Sequence, residues 1–493
     1  MNILAYWKTD IEHLRELKEK YKASIVFLLC DSGMNNMYDE EWIFPIMIEE
    51  PIDSLLSLID SRIPLDEKLL EKLQKFETTS MEIINRWRRS IVTKESYLSI
   101  KNALYKYYLF WLNIFMSKEI GVFVLFAEPH IPMTYIPYAI CQAFNIPTII
   151  LGLLPVIDQK KLNYLFESSL DNYDGEFDKR YSKLQLQYEH NDEQISLDDN
   201  LDYYFTMYGK ENKKVERVTT YNERDSLLSK LRFYASRAKV YTSQGRYNVL
   251  RNKIKYYIKA NTDAKPLLKY VETLEEQPKE EKFLVFFLHL QPESTTLPKG
   301  GVFVDQLLVI DMISKCLPAD VFLYVKEHPA YWELTERRES IYESRSREFY
   351  DRISRSRNVR LIDHKYSSLE LMDRCIGAVN ITGTAGFEAM FKCIPNIVFG
   401  YASYSKYKYS YNIRNYEECK KAIDEIISHP RVGTLRDVRI FLKALEPDVI
   451  AYGCDEKSYQ DNGVPAPSIE DFNNFLNKLV WFYDHTYKIG STN

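Results

Sequence analysis

Three short segments of the 493-residue chain combine residue types that can handle a phosphate and a sugar hydroxyl. They are Gln291-Pro292-Glu293, Lys326-Glu327-His328-Pro329 and Thr382-Gly383-Thr384-Ala385-Gly386, with Glu388 just beyond the last. Each follows a short β-branched and aromatic run, the pattern of a buried strand. In the third segment, small residues let the backbone approach an anion. The helix behind it offers free N–H groups and the positive end of a dipole, and Thr382 and Thr384 add hydroxyls. Neither GxGxxG nor GxxxxGK[ST] occurs, which disfavours dinucleotide binding and P-loop chemistry. If the strand persists to His328, alternation puts Lys326 and His328 on one face, where they can neutralise a departing phosphate; Pro329 would stiffen the turn. Gln291 offers an amide, and Glu293 a base or a hydroxyl anchor. Taken singly, each segment also reads as a tight turn or a capped strand end. Together, at successive strand ends, they predict one cleft for a phosphate-containing donor.

A fourth segment lies far upstream. Glu128-Pro129-His130 follows the apolar run Gly121–Ala127 and precedes a helical stretch and the strand Pro147–Gly152. This places Glu128 and His130 at the edge of a sheet where an α/β fold keeps its chemistry, although such a turn can also be a plain polar loop.

The elements that must position these groups alternate along the chain. Strand Met1–Trp7, helix Asp10–Lys22 and strand Ser24–Cys30 predict a parallel sheet, with helical patterns from Pro51 to Met116. From Lys160 to about Glu280 the chain turns polar, Tyr-rich and helical, with few strand candidates. Its basic stretch suits either a solvated helix face or contact with an anionic acceptor or membrane surface. Thr273–Lys282 reads as a linker. Beyond Phe283 the alternation resumes: helix Val304–Lys315, strands Val321–Val325 and Asn358–Ile362, helix Ser367–Arg374, strand Ala378–Ile381, helix Phe387–Phe391, strand Asn396–Phe399 and a closing helix Ile469–His485. The expected organisation is a first α/β domain over 1–272 with a helical insertion at about 160–270, a second over 283–465, and a terminal helix over 466–493.

Apolar residues make up 45% and charged residues 27% of the chain, the balance of a globular protein, and its length implies two domains. A net charge of −5 gives no basic field for a nucleic-acid partner. Seven scattered cysteines without a CxxC pair support neither a zinc ribbon nor a disulfide framework, and point to the cytoplasm. The start MNILAYWKTDIEH turns acidic sooner than a signal peptide is expected to. The longest apolar runs fall short of the roughly 20 residues a span requires, so membrane association would be peripheral, at the inner face of the cytoplasmic membrane.

LHLQPE, KEHP, NVRLID and NITGTAGFEAMFKCIPNIVFG, in this order, resemble the C-terminal half of bacterial capsular polysaccharide biosynthesis proteins, which include Kdo transferases. The resemblance covers Leu284 to Gly400; upstream it extends only to the strand-EPH-helix unit. It implies a GT-B architecture, with two Rossmann-like domains facing a cleft. It also implies transfer of a 3-deoxy-ulosonic acid (Kdo or a nonulosonic acid) from a CMP-activated donor to a glycan or glycolipid acceptor, with no cofactor and no required metal. His328 and Pro329 match the family's HP motif, expected at the donor phosphate and cytidine. Thr382, Gly383, Thr384 and Glu388 match the nucleotide-side turn and helix; Lys326, two residues before His328, joins the donor-binding set on its charge. Gln291 and Glu293 match the QPE motif lining the cleft. Glu128 and His130 are the candidates for activating the acceptor, with Glu293 a further catalytic candidate. An inverting reaction needs one base, and a retaining double displacement a carboxylate nucleophile as well. Two other readings remain open: a polyol-phosphate transferase of teichoic-acid type using a CDP-alcohol, and a non-catalytic GT-B protein that binds glycan or organises capsule assembly.

Overall fold

The computed structural model describes residues 2–6, 11–30, 41–48, 51–57, 59, 63–89, 96–155, 163–173, 176–188, 195–210, 251, 265–291, 296–329, 331–332, 345–431, 433–451 and 469–488. Glu293 and the first residues of the expected terminal segment, 466–468, lie outside these residues.

The first domain is built on β1 (Asn2–Tyr6), β2 (Val26–Cys30), β3 (Ile43–Met47), β4 (Ile120–Leu125), β5 (Thr148–Leu153) and β6 (Asn163–Glu167). Its helices are α1 (Ile11–Lys20), α2 (Ile52–Leu56), α3 (Glu67–Arg89), α4 (Tyr97–Lys118) and α5 (Pro132–Phe144). Local chemistry sets their ends. The Ser96 side chain accepts from Ser99 N to open α4, Pro132 starts α5, and left-handed Glu119 and Asn145 close the two helices. β3 was not foreseen from the sequence. It carries Pro45, which is tolerated because β3 is an edge strand pairing only with β2.

The insertion is more deeply integrated than its composition suggests. β6, within a stretch expected to hold few strands, is fully buried and pairs antiparallel with β5. α6 (Phe177–Tyr188), α7 (Asp199–Tyr204) and a π-turn over Phe205–Lys210 follow. Phe177, Tyr181, Tyr204 and Tyr208 form a common core with Phe387, Phe391, Tyr407 and Phe441 of the second domain. The tyrosines thus pack between domains. Apart from Arg251, the basic stretch downstream lies outside the described residues.

The second domain comprises β7 (Lys282–Phe287), α8 (Gln306–Cys316), β8 (Val321–Lys326), α9 (Arg347–Arg355), β9 (Val359–Ile362), α10 (Ser368–Arg374), β10 (Gly377–Asn380), α11 (Thr384–Phe391), β11 (Asn396–Val398), β12 (Ser410–Asn412), α12 (Tyr416–Ser428) and α13 (Leu435–Leu445). The stretch read as a linker is docked on it. Glu276 bridges in parallel to Ile362, and Glu281 pairs with Arg360. The chain then returns to the first domain, where β13 (Val449–Ala451) joins β6 and α14 (Ile469–Tyr483) covers the sheet. Phe475, Leu476, Leu479 and Phe482 of α14 are buried against Val122, Val124, Ile149 and Phe166. Burial of such side chains stabilises the crossing by about 1.5–3 kcal/mol each. The return therefore begins at Val449, ahead of the closing helix.

The first sheet runs β13-β6-β5-β4-β1-β2-β3 and the second β12-β11-β10-β7-β8-β9; the second is parallel throughout. Two such domains, with a terminal helix returning to the first, constitute the GT-B architecture. In each sheet the strand order reverses once, between β1 and β4 and between β7 and β10. Loops at such switch points open the crevice in which α/β sheets bind ligands. Glu128 follows β4, and the segments beginning at Gln291 and Thr382 follow β7 and β10.

Candidate active site

Glu128 is joined to the opposite domain. The ammonium of Lys299, in the kinked turn Thr296–Lys299 after β7, donates to Glu128 Oε1 at 2.7 Å. It also lies 3.1 and 3.0 Å from Oε1 and Oε2 of Glu167, the last residue of β6. The side chains of Lys299 and Glu167 are each 5% exposed, whereas that of Glu128 is 18% exposed. Glu128 is therefore the more accessible of the two carboxylates. Gly152 on neighbouring β5 leaves the room Glu167 needs, since a Cβ there would lie 3.1 Å from Oε2.

Burial, helped by Glu128 and Asp171, raises the Glu167 carboxyl to about 7 against the lowering pull of Lys299. The two carboxylates hold the Lys299 ammonium well above its usual range, against the opposing effect of burial. Burial and the neighbouring carboxylates thus favour a proton on Glu167, and the Lys299 ammonium opposes it.

His130 turns its Nδ1 to the Glu128 carbonyl at 2.7 Å, which fixes the loop. Arg86 of α3 donates to the His130 carbonyl and, at 3.2 Å, to the Leu297 carbonyl. One guanidinium thus holds both loops that face each other across the cleft.

On the second sheet the three motif-bearing strand ends converge on His289, a residue the motif reading passed over. Its Nε2 accepts from Ile381 N at 3.2 Å, and its main chain is clamped by both ends of the Gln306 amide, at 2.8 and 3.0 Å. Arg345 donates to the His289 carbonyl at 2.8 Å and pairs with Glu327 at 3.1 Å. Glu327 also accepts from Tyr350 Oη at 2.7 Å and from His328 N at 2.8 Å. Desolvation, with His328 and Arg345 nearby, pushes the His289 imidazole down to about 3, so it stays neutral and accepts through Nε2. The signal for His289 was its place one residue beyond a buried run.

Strand β8 ends at Lys326, so alternation does not carry on to His328, contrary to the expectation of a shared face. Lys326 is buried, and its Nζ donates to the His364 carbonyl at 2.8 Å. His328 and Pro329 follow the strand end, partly exposed. The Thr382–Gly386 segment is shorter as a loop than it reads, because α11 already begins at Thr384. Gly383 caps that helix with extended backbone, and a Cβ there would fall 2.6 Å from His289 Cε1, which accounts for the glycine. Its carbonyl accepts from Tyr404 Oη at 2.7 Å. Thr382 Oγ1 and Gln291 Nε2 are buried without a protein partner, and Thr384 is exposed at the helix start. Glu388 lies one turn into α11, partly exposed.

Glu275, Asp363 and His364 are a grouping with metal-ligand chemistry, their donor atoms lying within 4.8 Å of one another. They are already engaged: His364 Nδ1 with Glu275 at 2.9 Å, and Asp363 with Gln277 at 2.8 Å. Among the described residues no helix is long and apolar enough to cross a membrane.

Residues 224–419 match the family model of capsule polysaccharide biosynthesis proteins. The match covers less than half of the chain, takes in β7 to β12, and falls on the family its motifs resemble. No curated protein matches the chain. Among solved structures, the β-Kdo 2,4-transferase KpsC of Thermosulfurimonas dismutans is 12% identical, with 74% of this chain and 93% of that chain covered and a TM-score of 0.33. The β-Kdo 2,7-transferase KpsC of the same organism is 10% identical, covering 80% and 95%, with a TM-score of 0.30. A UDP-GlcNAc 2-epimerase from Methanocaldococcus jannaschii is 10% identical, covering 90% and 97%, with a TM-score of 0.26.

Proposed function

We propose that the protein is a glycosyltransferase of capsule or surface-glycan assembly, moving a 3-deoxy-ulosonic acid from a CMP-activated donor to a glycan or glycolipid acceptor. One observation carries the reading: Lys299, from the switch-point loop of the second sheet, binds Glu128, from the switch-point loop of the first. A carboxylate of the first domain thus meets the loop that follows β7 of the second, which supports reading the two as sides of one site. The family match and the order of the QPE, HP and TGTAG motifs support the donor class.

In this reading the CMP phosphate lies by the start of α11, where free N–H groups and the helix dipole favour an anion. Thr382, Thr384, Gln291 and His328 supply hydrogen bonds around it. Glu128 takes the proton from the acceptor hydroxyl as the new glycosidic bond forms, and the bond between the sugar and the CMP phosphate breaks with its electron pair leaving on the phosphate. Release of CMP from CMP-Kdo or a CMP-nonulosonate in the presence of acceptor tests the proposal. Glu128→Gln should slow transfer by about 10²–10⁴-fold, the usual worth of a general base. Turnover of a CDP-alcohol alone would replace this reading with the polyol-phosphate one, and no turnover of either donor class would leave a binding protein.

A further inference from the structure

We propose that Lys299 is a positioning residue that latches the cleft shut, so that the acceptor-side carboxylate pair is complete only when the second domain has closed on the first. The inference rests on the reading of Glu128 as the group that meets the acceptor, and it concerns how that group is switched on. Lys299 is anchored in the second domain, where its carbonyl accepts from Tyr401 N at 3.1 Å. Yet every hydrogen bond of its ammonium goes to the first domain, to Glu128 at 2.7 Å and to Glu167 at 3.0 and 3.1 Å. The same turn is held a second time from the first domain, by Arg86 at the Leu297 carbonyl. Separation of the domains would break both attachments together.

Opening has an electrostatic consequence. Among the described residues Lys299 is the one donor to the buried Glu167 carboxylate. The other titratable groups facing it are Glu128 and Asp171, the phenols of Tyr138 and Tyr173, and Lys406 across a small shared cavity; the Lys406 ammonium bonds Asn172 and Asp178 rather than Glu167, and it too belongs to the second domain. Once the ammonium leaves, two carboxylates face each other and repulsion favours a proton on one of them. Opening also releases Glu128 from the bond that holds it toward the second domain, so the carboxylate pair is assembled only in the closed cleft. Closure thereby also protects the donor from transfer to water until the acceptor side is assembled.

The test uses the full chain as wild type, Lys299→Met and Lys299→Arg, with two readouts. Hydrogen–deuterium exchange over the loop after β4 and over β6 should speed up at least tenfold in Lys299→Met, while Lys299→Arg, which keeps the charge, remains near wild type. In transfer assays Lys299→Met should lower kcat at least 100-fold with the donor KM within about threefold, and Lys299→Arg should recover most of the loss. Unchanged exchange in Lys299→Met overturns the latch, as does a loss carried by KM alone. Circular dichroism and the exchange of β7–β11 identify a misfolded variant, for which Lys299→Gln substitutes with the same two criteria. The exchange readout needs no substrate. If wild type turns over no CMP-sugar, the donor assignment falls while the latch is still judged.

Discussion

In the second domain Glu327, Arg345, Tyr350 and His289 satisfy one another without leaving that domain, whereas at the cleft Lys299 reaches out of it to Glu128 and Glu167. Both clusters bury charge, which is costly unless it is paired and hydrogen-bonded. The difference lies in what holds the partners together. Arg345 meets Glu327 because one core fixes both, so the pair stands or falls with the fold. Lys299 meets its carboxylates only when two separately built sheets come together, so its pair can break while each sheet persists. A buried ion pair inside a domain is thus part of the scaffold, and one between domains can report their arrangement.

The sharpest way to break this comparison is at the inner cluster. Arg345→Met leaves Glu327 buried without its cation, and should cost about 3–5 kcal/mol, read as a lowered urea midpoint. Gly383→Ala comes next. The added methyl would strike His289, and the overpacking should cost about 1–3 kcal/mol by the same measurement.

The two clusters should also respond to pH in opposite senses. Glu167 has its folded value raised from 4.5 to about 7, so its contribution is fully present below 4.5 and is lost as pH rises through 7. The slope is at most ~1.4 kcal/mol per pH unit, and Glu167→Gln should flatten the stability–pH curve in that window. His289 has its folded value lowered from 6.5 to about 3, so its contribution is present above 6.5 and is lost as pH falls toward 3. Denaturation midpoints measured from pH 4 to 8 separate these slopes. The smallest effect should come from Tyr404→Phe, which removes the hydrogen bond to the Gly383 carbonyl and should cost about 0.5–1.5 kcal/mol.

Much of the scaffold was legible because its signals are local. The buried runs preceding Glu128, Gln291, Glu327 and Thr382 read as strands, and the polar or small residues after each mark the loops at the switch points. β6 was missed because its apolar core is only a few residues long and lies in a charged, Tyr-rich stretch. With it went Glu167, whose role depends on β6 pairing beside β5. Lys299 stands in the sequence as one lysine between Pro298 and the Gly300-Gly301 pair. Nothing in its neighbours announces a buried ammonium.

The sequence by itself determined the α/β alternation, the order of the phosphate-suited segments and the terminal helix, since hydrophobic periodicity and turn chemistry act over a few residues. Only the tertiary structure decided which charges meet. Lys299 and Glu128 lie 171 residues apart and Lys299 and Glu167 lie 132 apart. Their pairing follows from how the sheets twist, where each switches direction and how the domains close, and no local pattern encodes it.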